Sequence, residues 1–237
     1  MIATTERSLE PLAEPLLQAI DLHRSFGRTV ALDGATVAVA AGEVVAVMGP
    51  SGSGKSTLLH CLAGILSPSA GEVRYRGTRI DTLPDEVRSR LRRDDFGFVF
   101  QFGQLVPELS ALENVTLPLR LAGVRRKEAE RHARDWLLRL EVDDVAAKRP
   151  GEISGGQGQR IAVARAMIAG PRVIFADEPT GSLDSLNGEL VMTLLVESAR
   201  QQGTTVVLVT HEPRVAAYAD REVVVRDGRC SLPVAAR

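Results

Sequence analysis

Residues 49–56 read GPSGSGKS, set between the apolar run EVVAV and the helically spaced KSTLLHCLAGIL. No other stretch restricts the fold so tightly. The glycines let successive backbone N–H groups turn inward around an anion, and a helix start behind them adds the positive end of its dipole. A strand must therefore end, and a helix begin, at this loop. Lys55 is placed to reach the outer phosphates of a nucleoside triphosphate, and Ser56 to ligate Mg²⁺. Gly49, Pro50, Ser51, Gly52, Ser53 and Gly54, with Thr57 behind Ser56, complete the candidate cradle. The loop alone says only that such a nucleotide binds.

RVIFADEP supplies a second half: four apolar residues lead to Asp177 and Glu178 at a strand's carboxyl end. Asp177 is expected to hold the Mg²⁺ shell. Strand alternation predicts that Glu178 projects the other way, toward a water beyond the γ-phosphate, as general base. Gln101 after FGFVF and His211 after TTVVLVT also follow apolar strands, where ligands sit in such sheets. Gln101 is a candidate for Mg²⁺ or the attacking water, and His211 for donation to the γ-phosphate as a neutral imidazole.

RVIFAD, TTVVLVT and REVVVRDG are continuous apolar runs suited to strands buried on both faces. LNGELVMTLLVESARQQG and EPRVAAYA separate them as helices, so the order implies a parallel sheet with right-handed crossovers. Leu58, Leu62 and Ile65 give the first helix its stripe, and Trp136, Leu137 and Leu140 mark a helical stretch over about residues 104–152. PDEVRSRLRR reads as a short helix with Pro84 near its start.

The length of 237 residues suits one large domain, or one with a subdomain. Net charge is −1, so no overall basic field draws the chain to nucleic acid. The arginine-rich stretches at 88–93 and 125–134 are interleaved or flanked by acids and read as solvated helix faces. Cys61 and Cys230 are far apart, and Cys61 falls in an apolar helical pattern; a disulfide framework is not expected, which fits a reducing cytosol. No apolar run reaches the ~18–20 residues that cross a bilayer.

One segment stands apart. ISGGQGQR, residues 153–160, has no acid, nucleophile or metal-ligand pair, yet its glycines open a helix. It is a second phosphate-holding helix start, about a hundred residues beyond the first.

With these residues in place, the chain resembles the ATPase subunit of ATP-binding cassette (ABC) transporters from about Leu16 to Gly228. The family's Walker A loop matches residues 49–57, its Q-loop glutamine Gln101, and its signature motif Ser154, Gly155, Gly156 and Gln157. Its Walker B acids match Asp177 and Glu178, its D-loop Asp184, its switch histidine His211, and its adenine-stacking aromatic Phe26. The resemblance implies an α/β P-loop NTPase cassette: a mostly parallel central sheet, an N-terminal antiparallel β subdomain and an inserted helical subdomain. It places the cassette at 16–237, with the helical insertion at about 104–168, behind a mobile extension at 1–15.

It further implies that two chains meet head to tail, each signature motif closing on ATP held by the other's Walker A loop. FGFVFQFGQLVPELSALENVTLPL, KRPGEISGGQ, ADEPTGSLD and VTHE resemble the branch of lipoprotein-release, macrolide-export and cell-division ATPases. That branch implies a peripheral subunit on the cytoplasmic side of the cell membrane, bound to a permease through residues 102–119. Its cell-division members imply the alternative of signalling without transport. Three residues depart from the family pattern: Gly158 for a larger polar residue, Phe26 for Tyr and Ile153 for Leu. Gly158 costs the helix roughly 1 kcal/mol against Ala.

Overall fold

The computed structural model describes residues 14–231, so nearly all of the expected N-terminal extension lies outside the described residues. The chain opens with a long hairpin, β1 (Leu17–Phe26) and β2 (Thr29–Val39). β4 (Ala70–Tyr75) and β5 (Thr78–Arg79) extend it to a four-stranded antiparallel sheet ordered β2-β1-β4-β5.

The second sheet contains β3 (Val44–Met48), β6 (Phe96–Phe100), β7 (Val173–Asp177), β8 (Thr205–Val209), β9 (Arg221–Arg226) and β10 (Arg229–Ser231). Its order is β10-β9-β3-β8-β7-β6, with every pair parallel except β9 with β10. Every residue of β8, and all of β7 but Asp177, is buried, as continuous Val/Ile/Leu runs require of strands covered on both faces. β9 differs from the sequence expectation. Its burial alternates, because β10 pairs beside it near the sheet's edge and one of its faces is only half covered.

Parallel pairing brings the carboxyl ends of β3, β6, β7 and β8 to one edge, with Asp177 in register with both Phe100 and Val209. The loops after these four strands carry residues 49–54, Gln101, Glu178 and His211, so the sheet itself gathers residues from Gly49 to His211.

Seven helices follow the expected order among the described residues. α1 (Lys55–Leu62) starts at the glycine loop, and α2 (Asp85–Asp94) starts after Pro84. α3 (Ala111–Leu121), α4 (Arg126–Arg139) and α5 (Gly155–Met167) occupy the predicted helical stretch. α6 (Ser185–Gln202) and the four-residue α7 (Pro213–Ala216) complete the set. Leu58 and Leu62 are buried as predicted, but α1 ends before Ile65, which is 42% exposed. Trp136, Leu137 and Leu140 are buried in one core with Ile161, Ile174 and Leu195, and α4 packs on α3 and α5.

Arg90–Glu86 on α2 and Arg126–Glu130 on α4 pair on solvated faces as expected, but Arg88 and Arg92 turn inward, donating to Ser67 Oγ at 2.8 Å and the Gly64 carbonyl at 2.6 Å. Cys61 is buried and free, its thiol pushed up to about 11 by desolvation. No helix among the described residues is long and apolar enough to cross a membrane.

Candidate nucleotide site

The loop between β3 and α1 is built by close approach. Gly49 has φ +150° and Gly54 has φ +104°, conformations that side chains rarely adopt. A methyl on Gly54 would collide with the Ala31 carbonyl, and one on Gly49 with the Val225 carbonyl. The loop is thus pressed between β2 and β9, and Gly228 N–H donates to the Ser53 carbonyl at 3.1 Å.

Two groups inside the loop lack the partners their chemistry asks for. Lys55 is 7% exposed, and its Nζ donates only to the Pro50 carbonyl, at 2.9 Å. Ser53 Oγ is buried with no hydrogen-bond partner. A buried ammonium that forms no ion pair among the described residues and an orphaned hydroxyl at a helix start fit a phosphate group.

Ser56 Oγ donates to Asp177 Oδ1 at 3.1 Å, joining the start of α1 to the end of β7. Burial pushes the Asp177 carboxyl above the usual carboxylate range, and the Ser56 bond opposes that shift. A cation beside it would restore the charged form. One hydroxyl and one carboxylate, with no larger cluster of acids, histidines or cysteines among the described residues, is a donor set suited to Mg²⁺, which keeps waters and phosphate oxygens as its other ligands.

Glu178 is not directed by strand alternation, because β7 ends at Asp177. It sits at φ +50°, in the left-handed region, with its N–H donating to the Val209 carbonyl at 2.9 Å. This turn carries its side chain to His211, whose Nδ1 lies 2.9 and 2.8 Å from the two carboxylate oxygens. A carboxylate only accepts, so the imidazole proton is on Nδ1. A neutral His211 held this way offers a lone pair, not a donor, at Nε2. Donation to phosphate requires either the Glu178 bond to open or a second ring proton.

Gln101 lies beyond β6 and points elsewhere in this structure. Ser182 Oγ donates to its carbonyl at 2.7 Å, and a methyl on Gly181 would sit 2.8 Å from its Nε2. It makes no hydrogen bond to Ser56 or Asp177. Phe26, at the end of β1, is 47% exposed, with the Arg24 guanidinium 5.0 Å from its ring centre. The rest of the ring is open to a stacking base.

The signature residues open α5 through a capping box. Ser154 Oγ accepts from Gln157 N–H at 3.2 Å, and Gln157 Oε1 accepts from Ser154 N–H at 2.9 Å. Gly155 and Gly156, at the first two helical positions, have no intrahelical partner for their N–H groups. Gly158 leaves the turn intact, its N–H donating to the Ser154 carbonyl at 2.9 Å. No hydrogen bond among the described residues joins 154–157 to the loop 49–57.

Four functional neighbours escaped the sequence reading. Gln159 donates to the Phe100 carbonyl at 2.8 Å, and Arg165 to the Gly103 and Gln104 carbonyls at 2.7 and 2.8 Å. Ser182 and Asn187 hold Gln101 and Asp184. Only Asn187 left a trace, in its spacing three after Asp184 at a helix start. Beside these straps runs a groove of about 470 Å³, lined by Ile65, Arg92, Phe98, Leu117, Leu121 and Arg165 among others. Of the predicted permease segment it takes Gln104, Leu117 and Pro118; Phe102 instead borders a separate cavity with Ile153 and Gly158.

A phosphate loop, an acid pair and a second capped helix start on an α/β sheet define a nucleotide-hydrolysing cassette, and comparison with known proteins agrees. The family model for the ABC transporter matches residues 32–181, and the chain belongs to that family as an ATP-binding and hydrolysing subunit. It is 42% identical over 218 residues to the lipoprotein-releasing system ATP-binding protein LolD of Geobacter metallireducens, covering 90% of this chain and 97% of the relative. It is 46% identical over 220 residues to the macrolide export ATP-binding/permease protein MacB of Marinobacter nauticus, of which it spans only 34%. Among solved structures it matches the dimeric bacterial ABC transporter cassette MJ0796, at TM-score 0.85 and 38% identity, over 91% of this chain and 96% of that one.

Proposed function

We propose that two copies of this chain close head to tail on two ATP molecules and drive a membrane permease in release or export. The observation that carries this is the pair of helix starts at Gly54 and Ser154, each with free amides and neither bonded to the other within the chain. Two such starts facing one γ-phosphate from opposite sides would neutralise charge that neither meets alone.

In this reading Phe26 stacks on adenine, residues 49–57 cradle the phosphates, and the Lys55 ammonium holds the β- and γ-oxygens. Ser56 and Asp177 would hold Mg²⁺, which supplies charge neutralisation on the phosphate oxygens when bound, and Gln101 would join them only by turning away from Gly181. Glu178 takes the proton of the attacking water as general base, and His211 orients the Glu178 carboxylate through its Nδ1 bond. The partner copy lends Ser154, Gly155, Gly156 and Gln157, with Asp184 beside them.

Residues 16–237 act as the cassette, with the helices between about 104 and 168 as an arm. Apolar Phe98, Leu117 and Leu121 make the groove the place where a permease segment docks, so the subunit works peripherally at the cytoplasmic membrane face. The straps from Gln159 and Arg165 carry that docking into α5. The relatives reported above bear release and export names, which gives the signalling alternative no support.

The test is Glu178→Gln. It should bind ATP, accumulate as a dimer by sedimentation and lose at least ~100-fold in turnover, the scale of a lost general base. Undiminished hydrolysis would overturn the base assignment, and a persistent ATP-bound monomer would overturn the shared site.

A further inference from the structure

The stretch from Gly181 to Asn187 touches two parts of the site that are far apart in sequence. Ser182 holds the Gln101 carbonyl. Leu183 packs on Gly155, where a methyl would lie 3.6 Å from Leu183 Cδ2. Asn187 packs closer still on Gly156, where a methyl would fall 2.6 Å from Asn187 Oδ1 and 2.9 Å from its Cγ. The bare Cα of Gly156 is what admits the carboxamide.

The same residue occupies both oxygens of Asp184. Asn187 N–H donates to Oδ1 at 3.0 Å, and Nδ2 donates to Oδ2 at 2.7 Å. These two bonds hold the Asp184 carboxyl below its ordinary range. One planar side chain thus has its nitrogen on the aspartate and its oxygen against the signature glycine. The backbone bond alone is the ordinary cap of α6; the side-chain bond and the contact with Gly156 are additional.

We infer that Asn187 is a positioning residue that locks Asp184 and the signature glycines into one rigid surface. What a copy presents to its partner's nucleotide then arrives as a unit. This rests on the shared-nucleotide reading above. Loss of the carboxamide should leave the chain's own cradle intact, since its hydrogen bonds go to Asp184 and none goes to residues 49–57. It loosens only the surface offered to the other copy.

The experiment uses the full chain carrying Glu178→Gln, with and without Asn187→Leu or Asn187→Ala. Leu keeps the branched shape, slightly enlarged, and removes both side-chain polar ends; Ala removes the bulk as well. ATP affinity is read on dilute monomer with a fluorescent ATP analogue, and dimerisation by sedimentation at saturating ATP. Both Asn187 variants are expected to bind nucleotide within about twofold of the parent. Their dimer dissociation constants should rise about tenfold, near 1.4 kcal/mol. In the Glu178 background the turnover number should fall while the concentration of ATP at half-saturation of the monomer holds.

Unchanged dimerisation in either variant overturns the inference. So does a fall in monomer affinity that tracks a fall in melting temperature, because a merely structural role predicts that. If the Glu178→Gln parent itself does not dimerise, the shared-nucleotide reading fails first and this inference falls with it.

Discussion

Lys55 shows how a residue proposed to hold phosphate can count against stability. Its ammonium is almost wholly buried with a single carbonyl for company. Such a charge disfavours the folded state until an anion arrives. Lys55→Met should therefore leave the melting temperature of the nucleotide-free protein unchanged or raised. ATP affinity should drop by about 2–3 kcal/mol, roughly 30- to 150-fold, as charge-assisted bonds are lost. Differential scanning calorimetry and nucleotide titration together check both halves. Glu178 marks where residue-level reading stopped. The acid was legible from RVIFADEP, but its aim was not, because φ +50° belongs to the turn that follows β7 rather than to the strand. A non-glycine residue there costs of order 1–3 kcal/mol, held by the Val209 carbonyl and the His211 contact.

Elements were legible where their signals are local. Ser154 with Gln157 and Ser110 with Glu113 are capping boxes readable as letters, and both form. Apolar β7 and β8 declared their own burial. What stayed hidden depends on neighbours: β9 is half exposed because of where the sheet stops, and Ile65 leaves its helix to border a groove. Gly97 is another such case. It lies in β6 against α5, and a methyl there would sit 2.5 Å from the Ala166 carbonyl, a backbone atom with nowhere to go. Gly97→Ala should destabilise the fold by about 1–3 kcal/mol through overpacking, seen in urea denaturation as a lower midpoint with unchanged slope. A midpoint equal to that of the parent would mean that α5 shifts freely along β6.

At the scale of the molecule, four strand ends assemble the site, and no short window of sequence contains that fact. Motif order carried the family resemblance; the parallel register of β3, β8, β7 and β6 carries the geometry. If nucleotide binds the folded cradle and not the unfolded chain, as proposed, ligand should stabilise the whole domain. At about 1,000 times its dissociation constant, ATP adds close to 4 kcal/mol. A thermal melt with ATP and Mg²⁺ should lie several degrees above the nucleotide-free melt, and EDTA should take back part of that gain. Equal shifts with and without EDTA would argue against Ser56 and Asp177 as the metal's holders.

The cap at Ser154 bears on what happens between turnovers. Its hydroxyl accepts the Gln157 N–H and the Gln157 side chain accepts the Ser154 N–H, so α5 has a finished end within a single copy. In the shared-nucleotide reading, separation would strand only the two glycine amides, and water could meet both. A resting half would then be a well-formed particle in its own right, and parting from its twin would require no local unfolding at the seam.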